Sequence, residues 1–172
     1  PFGVLPVLVA ASEFAKNNFD MRSIRETFRE KVGMDYDLFC ALEAPDKVYS
    51  EPDAEADCDD PSKVMLFTDP FCGIFDARVR EGIAPRYYRE VSELLKKGEE
   101  NGEWGYLFKS LRALCGVLEV KFDLGVKTRK AYKANDKAAL KKIVETDYAL
   151  LLKRLDSFYD AFEAFWIAEK KP

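Results

Sequence analysis

Histidine is absent from all 172 residues. That removes the commonest general base, the commonest metal ligand and every Ser-His or Cys-His pairing from the chemistry open to this chain. Cysteine is sparse: Cys40, Cys58, Cys72 and Cys115 have neither the C-x-x-C spacing of a zinc or redox site nor the density of a disulfide scaffold. Free thiols in a reducing compartment follow, and with them an expected cytoplasmic location. No run approaches the roughly 18 uninterrupted apolar residues of a membrane span, so no membrane partner is expected. The net charge is −4 with both signs interspersed, and no basic stripe with interleaved aromatics marks a phosphate-tracking surface, so nucleic acid is not an expected partner either. The opening Pro1-Phe2-Gly3-Val4-Leu5-Pro6 has neither an initiator methionine nor the charged start of a signal peptide. We expect the chain to be a piece of a longer protein.

What remains is enough apolar material for a real core, 48% of the residues, arranged almost everywhere at helical spacing. Leu5, Leu8, Val9 and Phe14 outline a first helix that Asn17 and Asn18 should end. Asp20 is placed to cap a second, with Ile24, Phe28 and Val32 on one face and Gly33 as its stop. Asp35 caps a shorter run with Tyr36, Phe39 and Cys40, limited by Pro45. Pro85 suits a first helical position ahead of Tyr88, Val91, Leu94 and Leu95. From Trp104 to Tyr132, apolar residues stepping by three and four predict one helix some ~40 Å long. After a turn capped by Asp136, the same pattern runs from Leu140 to Trp166.

The expected fold is therefore all-α, a helical bundle of about six helices with a long antiparallel helix pair at the C-terminal end. We divide the single helical domain, 1–172, into a short-helix cluster over 1–45, an acidic loop and irregular connection over 46–83, and three long helices over 84–172. Within the middle part, Glu51 to Pro61 reads EPDAEADCDDP. It lacks the glycine and the spaced terminal glutamate of a calcium loop and reads as a solvated stretch. No metal ligand set and no cofactor motif is expected.

Candidate chemistry is thin. Asp69 and Asp76 flank DPFCGIFD, and paired carboxylates serve acid–base enzymes, but aspartates in such a segment ordinarily hold turns. Trp104, Tyr87, Tyr88, Trp166 and Phe165 could stack on a sugar ring, yet most fall in the core stripe. Glu119, Lys121, Asp123, Lys127 and Arg129 form a polar helix face of mixed sign that is expected to be solvated.

Three stretches carry a likeness: VLPVLVAASEFAKNNFD near the start, PSKVMLFTDPFCGIFD at 61 to 76, and the region 118 to 172. The last holds K-x-D-L-G-x-x-T-R-x-A-Y, then D-Y-x-x-L-L-x-R-L, F-Y-x-A-F and W-x-A-E-x-K-P. In that order and spacing the chain resembles the C-terminal helical domain of bacterial family-twenty β-N-acetylhexosaminidases. The resemblance implies a parent enzyme that removes terminal N-acetylhexosamine residues with retention, the substrate's own acetamido group acting as nucleophile. It also implies an adjacent Asp-Glu pair in a catalytic barrel outside this chain, so no catalytic residue is carried over.

The implied partners are the catalytic barrel of the same chain, a homodimer mate, and N-acetylhexosamine-containing glycans through the parent enzyme. The segment nearest to function is DPFCGIFD. Asp69, Phe71, Gly73, Phe75 and Asp76 are expected to pack against the barrel, or against the mouth of the active site in the same or a partner subunit. The alternative is a free-standing helical interaction module with no enzymatic activity.

Overall fold

The computed structural model describes residues 2–49 and 60–170, and among these the chain is helical with no strand. The acidic stretch expected as a solvated loop lies almost wholly outside the described residues. Its last residue, Pro61, opens a helix.

Local chemistry sets the first elements. Helix α1 covers Leu5–Phe14. Asp20 accepts the backbone N–H groups of Arg22 and Ser23 to start α2, Met21–Val32, and Gly33 at φ 71° ends it. These bonds to its charged form hold the Asp20 carboxyl below its ordinary pKa. Asp35 caps α3, Tyr36–Cys40, by accepting from the N–H of Leu38 at 2.9 Å. A 3-10 turn, Ala41–Asp46, follows. The expectation of an irregular connection throughout 46–83 needs correcting at Pro61–Phe67. That stretch forms α4, with proline at its start where the missing N–H costs nothing.

Helix α5, Ile83–Lys96, begins two residues before Pro85, because Gly82 at φ 79° supplies the entry turn. It packs along α6, Gly105–Lys121, and the tight turn between them needs a glycine at 105. A Cβ there would sit 2.3 Å from the Glu99 carbonyl oxygen. Phe28, Phe39, Tyr88, Leu95, Phe108 and Leu118 fill the core between this pair and the N-terminal helices. Three aromatic donors tie the layers together. Tyr87 donates to the Ala44 carbonyl at 2.7 Å, Tyr88 to that of Pro45 at 3.1 Å, and Trp104 Nε1 to that of Val32 at 2.8 Å. The first two hold the 3-10 turn, and the third holds the end of α2. Tyr88 is fully buried and Tyr87 and Trp104 are partly so, and their bonds commit all three rings to holding the fold together.

The single helix expected from Trp104 to Tyr132 is broken. Phe122 and Asp123 separate α6 from α7, Leu124–Lys133. The cause is tertiary: Phe122 is buried beside Tyr49 and Tyr88, and Asp123 turns inward to a distant backbone group. After Asp136 caps α8, Lys137–Lys142, the rod continues through a π-helical stretch, Ile143–Tyr148, into α9, Ala149–Glu169. Helix α9 lies along α6, with Tyr106 bonded to Glu169 at one end and Arg154 3.9 Å from Glu119 towards the other. Leu151, Val117 and Leu124 make a second, smaller core there.

Candidate functional site

The irregular segment between α4 and α5 is held at point after point by the end of α6 and by α7. Asp69 Oδ1 accepts the N–H of Phe71 at 2.7 Å, closing a turn. Gly73 has φ 71°, and a Cβ there would also come within 3.0 Å of Arg129 Nε. Arg129 forks onto Asp76, its Nε donating to Oδ2 at 2.5 Å and its second arm to Oδ1, while a third N–H reaches the Pro70 carbonyl. This is the planar, bidentate geometry that only a guanidinium supplies. Lys121 Nζ donates to the Leu66 carbonyl, and burial lowers the Lys121 pKa. Lys130 pairs with Glu81. Gly125 permits the approach, since a Cβ at that position would meet the Pro70 carbonyl oxygen at 2.6 Å.

Asp123 closes the far end of the segment. Its side chain is 0% exposed; Oδ2 accepts the N–H of Gly82 at 2.6 Å, whereas Oδ1 is buried with no hydrogen-bond partner. Lys127 approaches only to 4.0 Å. Desolvation therefore raises the pKa of this carboxyl. The polar face expected to be solvated is thus largely a brace: Lys121, Asp123 and Arg129 point into the protein and hold the backbone at Leu66, Gly82 and Pro70.

What the brace presents outward is apolar. Phe71 is 67% exposed and Ile74 75% exposed, and Phe67 near the end of α4 is exposed too. Phe71 is stacked on Tyr148, centroids 5.8 Å apart and planes 7° from parallel, and the Tyr148 hydroxyl lies 3.3 Å from Thr128 Oγ1. The cavity behind the segment measures about 20 Å³, room for one water and far too small for a sugar ring. Any role in recognition therefore falls to the outward face.

Of the five residues singled out in sequence, Asp69, Gly73 and Asp76 form the segment's internal locks, Phe75 is half-buried behind it, and Phe71 is the side chain on display. Asp69 and Asp76 are each occupied by a structural partner and do not face one another as an acid–base pair. The sequence alone puts Arg129 on a solvated face and gives Gly125 and Tyr148 no role, although Gly125 and Arg129 both sit inside the K-x-D-L-G-x-x-T-R signature. Among the described residues no group of three or more Cys, Asp or Glu could hold a metal ion. No helix there is long and apolar enough to cross a membrane.

Residues 37–172 match the family model for the Glycoside Hydrolase 20C C-terminal domain. The chain belongs to this family. The match takes in the braced segment, α7 and α9 and leaves out α1 and α2. No curated protein matches the chain. As a glycoside hydrolase 20 C-terminal domain, the chain accompanies a catalytic domain.

Proposed function

We propose that this chain is the non-catalytic C-terminal helical domain of a β-N-acetylhexosaminidase that removes terminal N-acetylhexosamine residues, and that it packs on the catalytic barrel in its own subunit or across a homodimer. In this reading the braced segment sets Phe71 against the barrel at the mouth of the active site. The observation that carries it is the contrast within DPFCGIFD: Asp69 and Asp76 are committed to holding the segment in place, and Phe71 and Ile74 are left projecting from a fixed mount. Catalytic and binding contacts are ordinarily built by irregular segments held on rigid scaffolds in this way. The unpaired thiols of Cys40, Cys72 and Cys115 support a reducing, cytoplasmic setting.

The test is Phe71→Ala in the enzyme carrying this chain, assayed on a chromogenic N-acetylglucosaminide with the oligomeric state followed by light scattering. A severalfold rise in KM, or a change in assembly at unchanged Tm, is expected. Unaltered kinetics and assembly would remove Phe71 from the site, and absence of hydrolysis by the unsubstituted enzyme would remove the hexosaminidase reading itself.

A further inference from the structure

Helix α1 does not have the composition of a surface helix. Its sequence, LPVLVAASEF, contains one charged residue, Glu13, and that side chain is turned inward to Lys16 at 2.8 Å and Asn18 at 2.9 Å. Val9 and Glu13 face the protein, while Val4, Val7, Leu8 and Ala11 lie opposite them on a stripe at positions i, i+3, i+4 and i+7. Val7 is 68% exposed and Leu8 58% exposed, with no polar residue between them. An outward face as apolar as this one ordinarily lies against another part of a protein, not against water.

Two further observations say what covers it. The stretch that matches the C-terminal domain family starts at residue 37, so α1, like α2, precedes that domain's own boundary, and α1 is the one of the two that leaves an apolar stripe uncovered. A groove of about 850 Å³ begins at Gly3, just ahead of α1, and at Pro6 within it, the sequence neighbours of Val4 and Val7, and runs on past Phe39, Leu66 and Leu111 to Phe162 of α9. Contiguous apolar surface on this scale marks an interface.

We infer that the outward stripe of α1, together with the groove beside it, is the surface on which the catalytic domain of the same enzyme packs. The inference rests on the reading of the chain as a hexosaminidase domain and adds a second packing face to the one that reading gives Phe71. It makes α1 a helix shared by two domains, buried on one side by α2 and α3 and on the other by the catalytic domain. The partner surface must be apolar and uncharged opposite Val7 and Leu8, because a charge buried there would find no counter-ion on α1.

The experiment uses single cysteines introduced into the complete enzyme, Val7→Cys on the stripe and Tyr132→Cys on α7, where the native side chain is 75% exposed. Both changes are small enough to leave the fold intact, and labelling by a maleimide is followed by peptide mass spectrometry. If the catalytic domain covers the stripe, Val7→Cys labels at least roughly tenfold more slowly than Tyr132→Cys, since reaction must await local opening. Equal rates at the two positions overturn the inference. Protection of Val7→Cys that disappears on dilution to a monomer also overturns it, and assigns the stripe to a second copy of the chain. Hydrolysis measured on the same samples keeps the two levels apart: an active enzyme with a freely labelled Val7→Cys loses only the docking face, whereas an inactive one loses the hexosaminidase reading.

Discussion

Arg129 on α7 grips Asp76, 53 positions earlier in the chain, through both carboxylate oxygens, with a third N–H on the Pro70 carbonyl. One side chain thereby fixes two points of the segment that displays Phe71. Arg129→Lys keeps the charge and loses the fork, and should cost about 1–2 kcal/mol, a modest sum because solvent reaches Asp76. The sharper consequence is local. Protease cleavage between residues 68 and 82 should accelerate in Arg129→Lys while the core of α5 and α6 keeps its hydrogen-exchange protection. Uniform behaviour of the two regions would mean that the fork does not brace the segment.

Gly125 makes a steric rather than an electrostatic contribution. Because a Cβ at 125 would press on a backbone oxygen that cannot rotate away, Gly125→Ala should lower stability by roughly 1–3 kcal/mol, the usual cost of overpacking. Gly102→Ala is the control, with nothing within 4 Å of its Cβ, and should be neutral within about 0.5 kcal/mol. Chemical denaturation of the two variants checks the difference, and indistinguishable midpoints would show that the α7 to Pro70 approach has slack.

Asp123 gives a pH dependence whose sign can be worked out. Its pKa is raised in the folded state, chiefly by desolvation, so between the ordinary carboxylate value and the raised one the native protein holds a proton that the unfolded chain has released. Stability therefore falls as pH rises through that window. Asp123→Asn keeps an acceptor for the Gly82 N–H and carries no charge. Its Tm relative to the wild type should climb as pH rises from the acid side to neutrality. A difference independent of pH would place the ionisation elsewhere, and Asp123→Ala, which strands the Gly82 N–H, should be destabilised at every pH.

The helix caps were legible because their chemistry is local: Asp20, Asp35 and Asp136 each bond a backbone group two or three residues away, and Gly33 needs only its own φ. The break at Phe122 and Asp123 was not, because apolar residues keep helical spacing across it and the interaction that ends the helix lies 41 positions away, at Gly82. The same reason hid the brace. DPFCGIFD and K-x-D-L-G-x-x-T-R are each visible as motifs, but the Arg129 to Asp76 pairing that joins them exists only in three dimensions. Mixed charge on a helix ordinarily means solvent, and nothing local distinguishes Lys127, which is half open to solvent, from Arg129, which is largely covered by the segment it holds.

The π-helical stretch at Ile143–Tyr148 works as a phase shifter in the rod that runs from Lys137 to Glu169. Such a stretch accommodates one residue more than an α-helix of the same height, and each residue turns an α-helix by about 100°. Ahead of the shift, the rod follows the register of α7; beyond it, Leu151, Leu155 and Phe158 follow that of α6. Deleting one residue there would leave the rod helical and its composition nearly unchanged, but only one of its two halves could then stay seated. Either Tyr148 would swing away from Phe71 or α9 would roll off α6, so the two ends of the domain are geared together through a single surplus residue.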